Sequence, residues 1–472
     1  MARGIQAEQV TITSAIPENV DNIPCYMGAA PIWQVDSAEW KSAAGGIVVL
    51  NSLRDAKKKI GYFQPESGMW PKFASLCEMV YLHFVKDEAV GPICVIVTDA
   101  VPEETEETTE NVVFAGGKGV LVAEGKVILS SVTISGKEKG KDYTVEYDET
   151  GENVVINAID SELSGSQEVS FKKVTADGIT LSGVFEKLEY IEQIANVIPN
   201  IIMAPGWEKE SYEGSTVEKA LEEKVESRVN SHWYIQGFAQ IKSDTASAAI
   251  QNKSLGSHKV KACWPYVRKN GLVFHLESYF ALAKMILDAE NDGVPYISAS
   301  NEIIDIDGIC DSSGKTILLS EAQSNTLNEN GIATVNYLNG SWRTWGIRMA
   351  NYSESKSEEI EDEKKTDVAV QMIDFICNDF QKTYADVLDK PMTNKDARDI
   401  VNDYQTGKLD AYVHSGQLLF GTISLDSDDP NNNVLEGNFV FDIGVTSVPP
   451  GNSITAKVHY TKKGLEVEEE EE

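Results

Sequence analysis

A chain of 472 residues with 42% hydrophobic side chains exceeds one ordinary domain and can bury a core in each of two or three. Its 74 acidic against 41 basic residues give a formal net charge of −33, which excludes the basic face that nucleic acid or anionic lipid requires. No uninterrupted apolar run approaches the roughly 18 residues of a membrane span, and the opening residues Met1 to Glu8 lack the apolar core of a secretory signal, so the chain is expected to stay in the cytoplasm where it is made.

The stretch Gln6 to Ser14 alternates, with Val10 and Ile12 on one side, and predicts an isolated strand arm over residues 1–22. From Ala43 to Ala100 the pattern predicts strand, helix, helix, strand: Gly46 to Leu50, a Lys-rich helix from Ser52, a helix through Phe73 to Val85, and the run Ile93-Cys94-Val95-Ile96-Val97. A segment apolar at every residue suits a strand covered on both faces, so an α/β layer is expected here.

Glu103 to Glu110 is acidic and reads as a solvated linker. Short alternating segments follow, at Gly119 to Ala123, Lys126 to Ser131, Tyr143 to Tyr147, Val154 to Asn157 and Val169 to Val174, separated by Gly, Asp and Ser turns. They predict a small all-β domain over 111–184, inserted in an α/β domain spanning 23–110 and 185–350. The α/β rhythm resumes with helical spacing from Leu188 to Ile198 and a strand from Asn200 to Ala204. Ser215-Thr-Val-Glu218 reads as a capping box before Val217, Leu221, Val225 and Val229. A strand at Trp233 to Phe238, a helix through Tyr279 to Ala289, a helix near Glu321 to Asn330 with Gly331 at its C′ position, and strands Ala333 to Leu338 and Trp342 to Met349 complete that domain.

After a second charged linker, Ser353 to Lys365, the residues Val368, Met372, Phe375, Ile376 and Phe380 predict a long amphipathic helix. Thr393 caps a shorter one that ends at Gly407, and strands are expected at Leu409 to His414, Leu418 to Leu425 and Phe439 to Thr446. This is an α+β domain over 351–451. Beyond Pro449-Pro450-Gly451, Ile454, Ala456, Val458 and Tyr460 alternate with Thr455, Lys457 and His459, a second strand arm over 452–461 before an acidic tail, 462–472.

Motifs for chemistry are few. Six cysteines, Cys25, Cys77, Cys94, Cys263, Cys310 and Cys377, include no C-x-x-C pair and no nearby His at ligand spacing, so neither a metal site nor a disulfide framework is expected. Gly308 to Thr316 resembles a phosphate-binding loop but has five residues between its glycines where the cradle needs four; Asp311 to Gly314 reads as a hairpin turn and Thr316 to Leu319 as a strand. Asp426 to Asn431 lacks the central Gly of a calcium loop. No nucleophile elbow exists, and none of the six histidines has a recognisable base or metal setting, so no catalytic residue and no cofactor is assigned.

Several segments, taken in order, carry a resemblance. They are Gly4 to Glu8, Ile23 to Pro31, Leu50-Asn-Ser52 leading to Gly61-Tyr-Phe63, Ile201 to Gly206, Ala262-Cys-Trp-Pro265, and Ser278 to Gly293 with its Asp288-Ala-Glu. The most specific is Leu327-Asn-Glu-Asn-Gly331-Ile332 followed by Gly340-Ser-Trp342-Arg-Thr-Trp345-Gly346. Together they are similar to the contractile tail sheath proteins of phages and R-type bacteriocins, over all but the β insertion and acidic tail.

The resemblance implies a subtilisin-like α/β sheath core without a protease triad, and a subunit with no enzymatic role. It implies a helical homo-oligomer around an inner tail tube protein, in contact with baseplate and tail terminator proteins, that contracts to drive the tube through a cell envelope. The arms, carrying Val10, Ile12, Ile454, Val458 and Tyr460, would join a neighbour's sheet, with Phe439, Phe441 and Ile443 on the receiving strand. Lys395, Arg398 and Asp399 would face the tube. A bacteriocin rather than an infectious phage, or a surface-binding protein built on the β insertion, are the alternatives.

Overall fold

The computed structural model describes residues 23–86, 90–159 and 163–461. At its centre is an eight-stranded sheet in the order Ile47–Leu50, Ile93–Val97, Ile23–Gly28, Pro199–Met203, Gln236–Gln240, Val260–Cys263, Ile332–Leu338 and Ser341–Trp345. The six inner strands run parallel. Each edge strand is antiparallel to its neighbour.

Strand periodicity divides the central side chains between two cores. Tyr26, Val95, Val97, Ile201, Met203 and Phe238 face the helices Ser75–Phe84 and Leu276–Glu290. Cys25, Met27, Cys94, Ile96, Ile202 and Ala239 face the opposite layer, which includes Val217–Ser227 and Glu321–Glu329. All five residues of Ile93–Val97 are buried, as a strand covered on both faces requires. Gly331 (φ +67°) follows the helix Glu321–Glu329, and a side chain there would strike the carbonyl oxygens of Met349 and Tyr352.

Residues 103–175 form small antiparallel sheets around a third core of Val112, Phe114, Leu121, Val154, Ile156, Val169 and Phe171. Two expectations change here. The acidic stretch is not a free linker: Glu103–Glu104 pairs with Val174–Thr175, and Thr108–Phe114 pairs along its length with Gly165–Phe171. Alternation wins there, because Val112 and Phe114 point inward while the charged residues stay in water. Lys126 to Ser131 is no strand; its last three residues make a 3-10 turn.

Other local readings also fail. Ser215 and Thr216 belong to a hairpin with Ser211–Tyr212, so the helix starts at Val217 with no side-chain cap, and the Glu218 carboxylate binds Lys209 and Ser254 instead. Asp311 closes a tight turn by accepting from the Ser313 and Lys315 amides, but beyond the Cys310–Thr316 bridge Ile317 to Leu319 is not strand.

In the C-terminal part, the helix Asp367–Tyr384 packs Val368, Met372 and Ile376 against Tyr404, Leu409, Leu418 and Ile423. Thr393 caps Asn394–Tyr404 through a reciprocal capping box with Asp396. Gly407 does not end that helix. The chain passes through a π-helical turn, Gln405–Leu409, into the helix Asp410–His414, where a strand was expected. The wider turn brings Leu409 into the same cluster as Tyr404, so burial outweighs the β-branched and aromatic composition of the segment. Among the described residues no helix is long and apolar enough to cross a membrane.

Candidate functional site

The helix Asp367–Tyr384 has two working faces. Its apolar stripe carries the C-terminal sheet, and a polar stripe at Asp367, Gln371, Asp374, Asn378 and Gln381 lies on the central layer. Asp367 meets Lys261 at 2.9 Å, both 1% exposed, and also accepts from Ser298 Oγ at 2.7 Å. Gln371 bonds Gln236, and Asp374 pairs with Lys259. Asn378 binds both the N–H and the carbonyl of Tyr234 at 2.9 Å, as a neighbouring strand would, and Gln381 donates to His232 O. The intervals of four and three residues are those of one helix face.

The sheet that this helix carries has two strands, Leu418–Leu425 and Phe441–Ser447, antiparallel with Gly421 opposite Val445, Ile423 opposite Ile443 and Leu425 opposite Phe441. Phe439, named with the receiving strand, lies before its first residue; Phe441 and Ile443 are within it and turn their side chains toward the helix. Beside this strand runs a groove of about 670 Å3 lined by Ile373, Ile376, Cys377, Phe380, Arg228 and Tyr234.

After Pro449-Pro450 the chain leaves the sheet. Val448 to Ser453 line a second groove, of about 810 Å3, with Ser300, Asn325, Arg348 and Tyr352. Residues 451–461 are exposed and in no strand; Ile454, Val458 and Tyr460 are 96, 93 and 81% exposed. The other arm, with Val10 and Ile12, lies outside the described residues. Lys395, Arg398 and Asp399 are exposed on Asn394–Tyr404, whose opposite side buries Ala397, Ile400 and Tyr404; Lys395 and Asp399 are 4.0 Å apart.

Sequence reasoning missed a buried polar cluster at the C-terminal ends of the parallel strands. Glu78 accepts from His275 Nδ1 at 2.7 Å, from the His275 amide at 3.0 Å and from Ser278 Oγ at 2.8 Å. Burial opposes the charge on His275, but the Glu78 carboxylate outweighs it and holds the imidazole pKa above its ordinary value. Glu277 is wholly buried beside Glu208; burial first, then that neighbour's charge, push its carboxyl well above the usual range. These groups are far apart in sequence, and only the pairing of strands brings them together. Among the described residues no group of three or more His, Cys, Asp or Glu is arranged to hold a metal, and all six cysteines are free thiols.

The mixed α/β fold, a large central sheet with several small sheets beside it, is shared with solved structures of sheath proteins of contractile injection systems. A chain in the cryo-EM structure of the anti-feeding prophage baseplate matches with a TM-score of 0.57 at 13% identity, covering 98% of this chain and 100% of that one. The PVC sheath complex of an extracellular contractile injection system, in its contracted state, matches with a TM-score of 0.55 at 11% identity, covering 98% and 99%. The sheath tail protein from Desulfitobacterium hafniense matches with a TM-score of 0.52 at 10% identity, covering 94% and 100%. No protein-family model and no curated protein matches the sequence.

Proposed function

We propose that this chain is the sheath subunit of a contractile injection machine, assembling helically with its own copies around an inner tube and shortening to drive that tube through a cell envelope. The observation that carries this reading is the shared fold with a contractile sheath complex over 98% of the chain at a TM-score of 0.55. A two-stranded sheet is marginal by itself, and an exposed apolar arm is costly in a lone subunit; both support a chain completed by neighbours.

In this reading the arms, through Ile454, Val458 and Tyr460 at one end and Val10 and Ile12 at the other, add strands to a neighbour's sheet at Phe441–Ser447. Head-to-tail contacts that do not close then build a helix, and contraction is a rigid-body rearrangement with the arms keeping subunits connected. The α/β core lies on both sides of the β insertion along the chain, the insertion decorates the outside, and the C-terminal domain faces the tube through Lys395, Arg398 and Asp399. Baseplate and terminator proteins bind the ends of the array, in a phage or a phage-derived bacteriocin assembled in the host cytoplasm. Cryo-electron microscopy of the purified full-length protein tests this. Hollow helical tubes with exchanged terminal strands are expected; a discrete particle whose arms pair within their own subunit refutes it.

A further inference from the structure

Both strands of the C-terminal sheet are edge strands, so its backbone has two sides on which another strand could add. They are not equivalent. On the outer side of Leu418–Leu425, Gln405 Nε2 donates to Gly421 O at 3.0 Å while Gln405 Oε1 accepts from Ile423 N at 3.0 Å. One donor to residue i−1 and one acceptor from residue i+1 is the pair of bonds by which a single residue of a parallel strand would attach. The amide is held in this orientation by Asp410, whose carboxylate accepts from the same Nε2 at 2.7 Å. The π-helical turn that presents Gln405 comes within van der Waals range of the strand because residue 421 is glycine; a Cβ there would sit 3.2 Å from the Leu409 side chain.

The other side follows from the register. Directly opposite residues of an antiparallel pair aim their backbone groups alike, both at each other or both outward. The Ile423 amide points away from its partner strand, so its opposite, Ile443, also points outward. Phe441 and Val445, two residues to either side, do the same. These groups border the groove with Ile373, Ile376 and Phe380, and among the described residues they make no hydrogen bond across it. We infer that Gln405 is a plug in the form of a strand residue, closing the Leu418–Leu425 edge so that an incoming strand, Ile454–Tyr460 of a second copy of this chain, can add only beside Phe441–Ser447.

This inference rests on the strand exchange proposed above and adds the residue that selects the edge. The arm fits the vacancy: Ile454 to Tyr460 is seven residues, as is Phe441–Ser447, and its alternating apolar side chains match a groove walled by isoleucine and phenylalanine. The same chain's own arm is carried away by Pro449-Pro450, whose fixed φ resists a tight return beside the strand just left.

Amide hydrogen exchange on the full-length protein, before and after assembly, tests both parts. In the unassembled subunit Ile423 should exchange slowly and Phe441, Ile443 and Val445 fast. Assembly should slow the latter three by about tenfold or more. Gln405→Ala, and Gln405→Met, which keeps the side-chain length if the alanine variant does not fold, should speed Ile423 exchange in the subunit by about tenfold or more. Unchanged Ile423 exchange in the folded variants overturns the plug. Protection gained on assembly at Leu419 and Leu425, with none at Phe441 to Val445, overturns the choice of edge. A wild-type protein that forms no array refutes the sheath reading, yet the Ile423 comparison still decides the role of Gln405, because it is made on single subunits.

Discussion

Glu277 shows how one residue sets a pH dependence. Buried beside Glu208, it keeps its proton in the folded chain well above the ordinary carboxyl value of 4.5, whereas the unfolded chain releases it near that value. Unfolding therefore releases a proton, and this group's contribution to stability falls as pH rises above about 4.5 toward its folded pKa. Glu277→Gln removes that dependence while keeping the volume. Its melting temperature relative to wild type should climb between about pH 5 and pH 8, measured by thermal melts across that range; a constant difference would contradict the assignment. The Lys261–Asp367 pair makes a second case. Lys261→Met leaves a buried carboxylate unpaired and should cost about 3–5 kcal/mol in denaturant unfolding, whereas Lys261→Met with Asp367→Leu should recover most of it. Neither pairing was visible in the sequence, where Lys261 sits in an apolar strand and Asp367 among surface charges.

At the scale of elements, the helix Asp367–Tyr384 joins the two sheets. Its apolar stripe was legible at Val368, Met372, Ile376 and Phe380. The polar stripe at 367, 371, 374, 378 and 381 has the same helical spacing but reads as a solvated face until Lys259, Lys261 and the Tyr234 backbone are set against it. Asn378→Ala should therefore behave as a seam mutation. It orphans the Tyr234 N–H and carbonyl and should cost about 1–3 kcal/mol by denaturant titration, where an exposed asparagine would cost almost nothing. The segment 405–414 misled sequence reasoning for the complementary reason. Gly407 signals a helix stop and Ala411, Tyr412 and Val413 favour strand, but the burial of Leu409 under Gly421 selects the π turn and a further helix. Elements with a continuous apolar signal, such as Ile93–Val97 and Leu276–Glu290, needed no such correction.

For the whole molecule, the proposed linking role of the exposed C-terminal arm can be tested apart from folding. Residues 452–461 are exposed throughout, so truncation after Gly451 should leave the melting temperature within about 1 °C of wild type, as expected when no buried contact is lost. The truncated chain should remain monomeric in sedimentation under conditions where the full chain polymerises. Tubes of normal length from it would show that the arm does not link subunits.

The sequence by itself determined the α/β layer, the β-rich interruption and the alternation of the C-terminal arm, because each is written in local periodicity, which is a property of neighbouring residues. It also carried the resemblance to sheath proteins, through short segments in a fixed order. The tertiary structure alone decided the strand order of the central sheet, the burial of Glu277 beside Glu208, the polar seam along Asp367–Tyr384 and the closing of one sheet edge by Gln405. Each of these depends on groups far apart in the chain, and the energy of a buried charge or an unpaired amide is set by what packs against it in space.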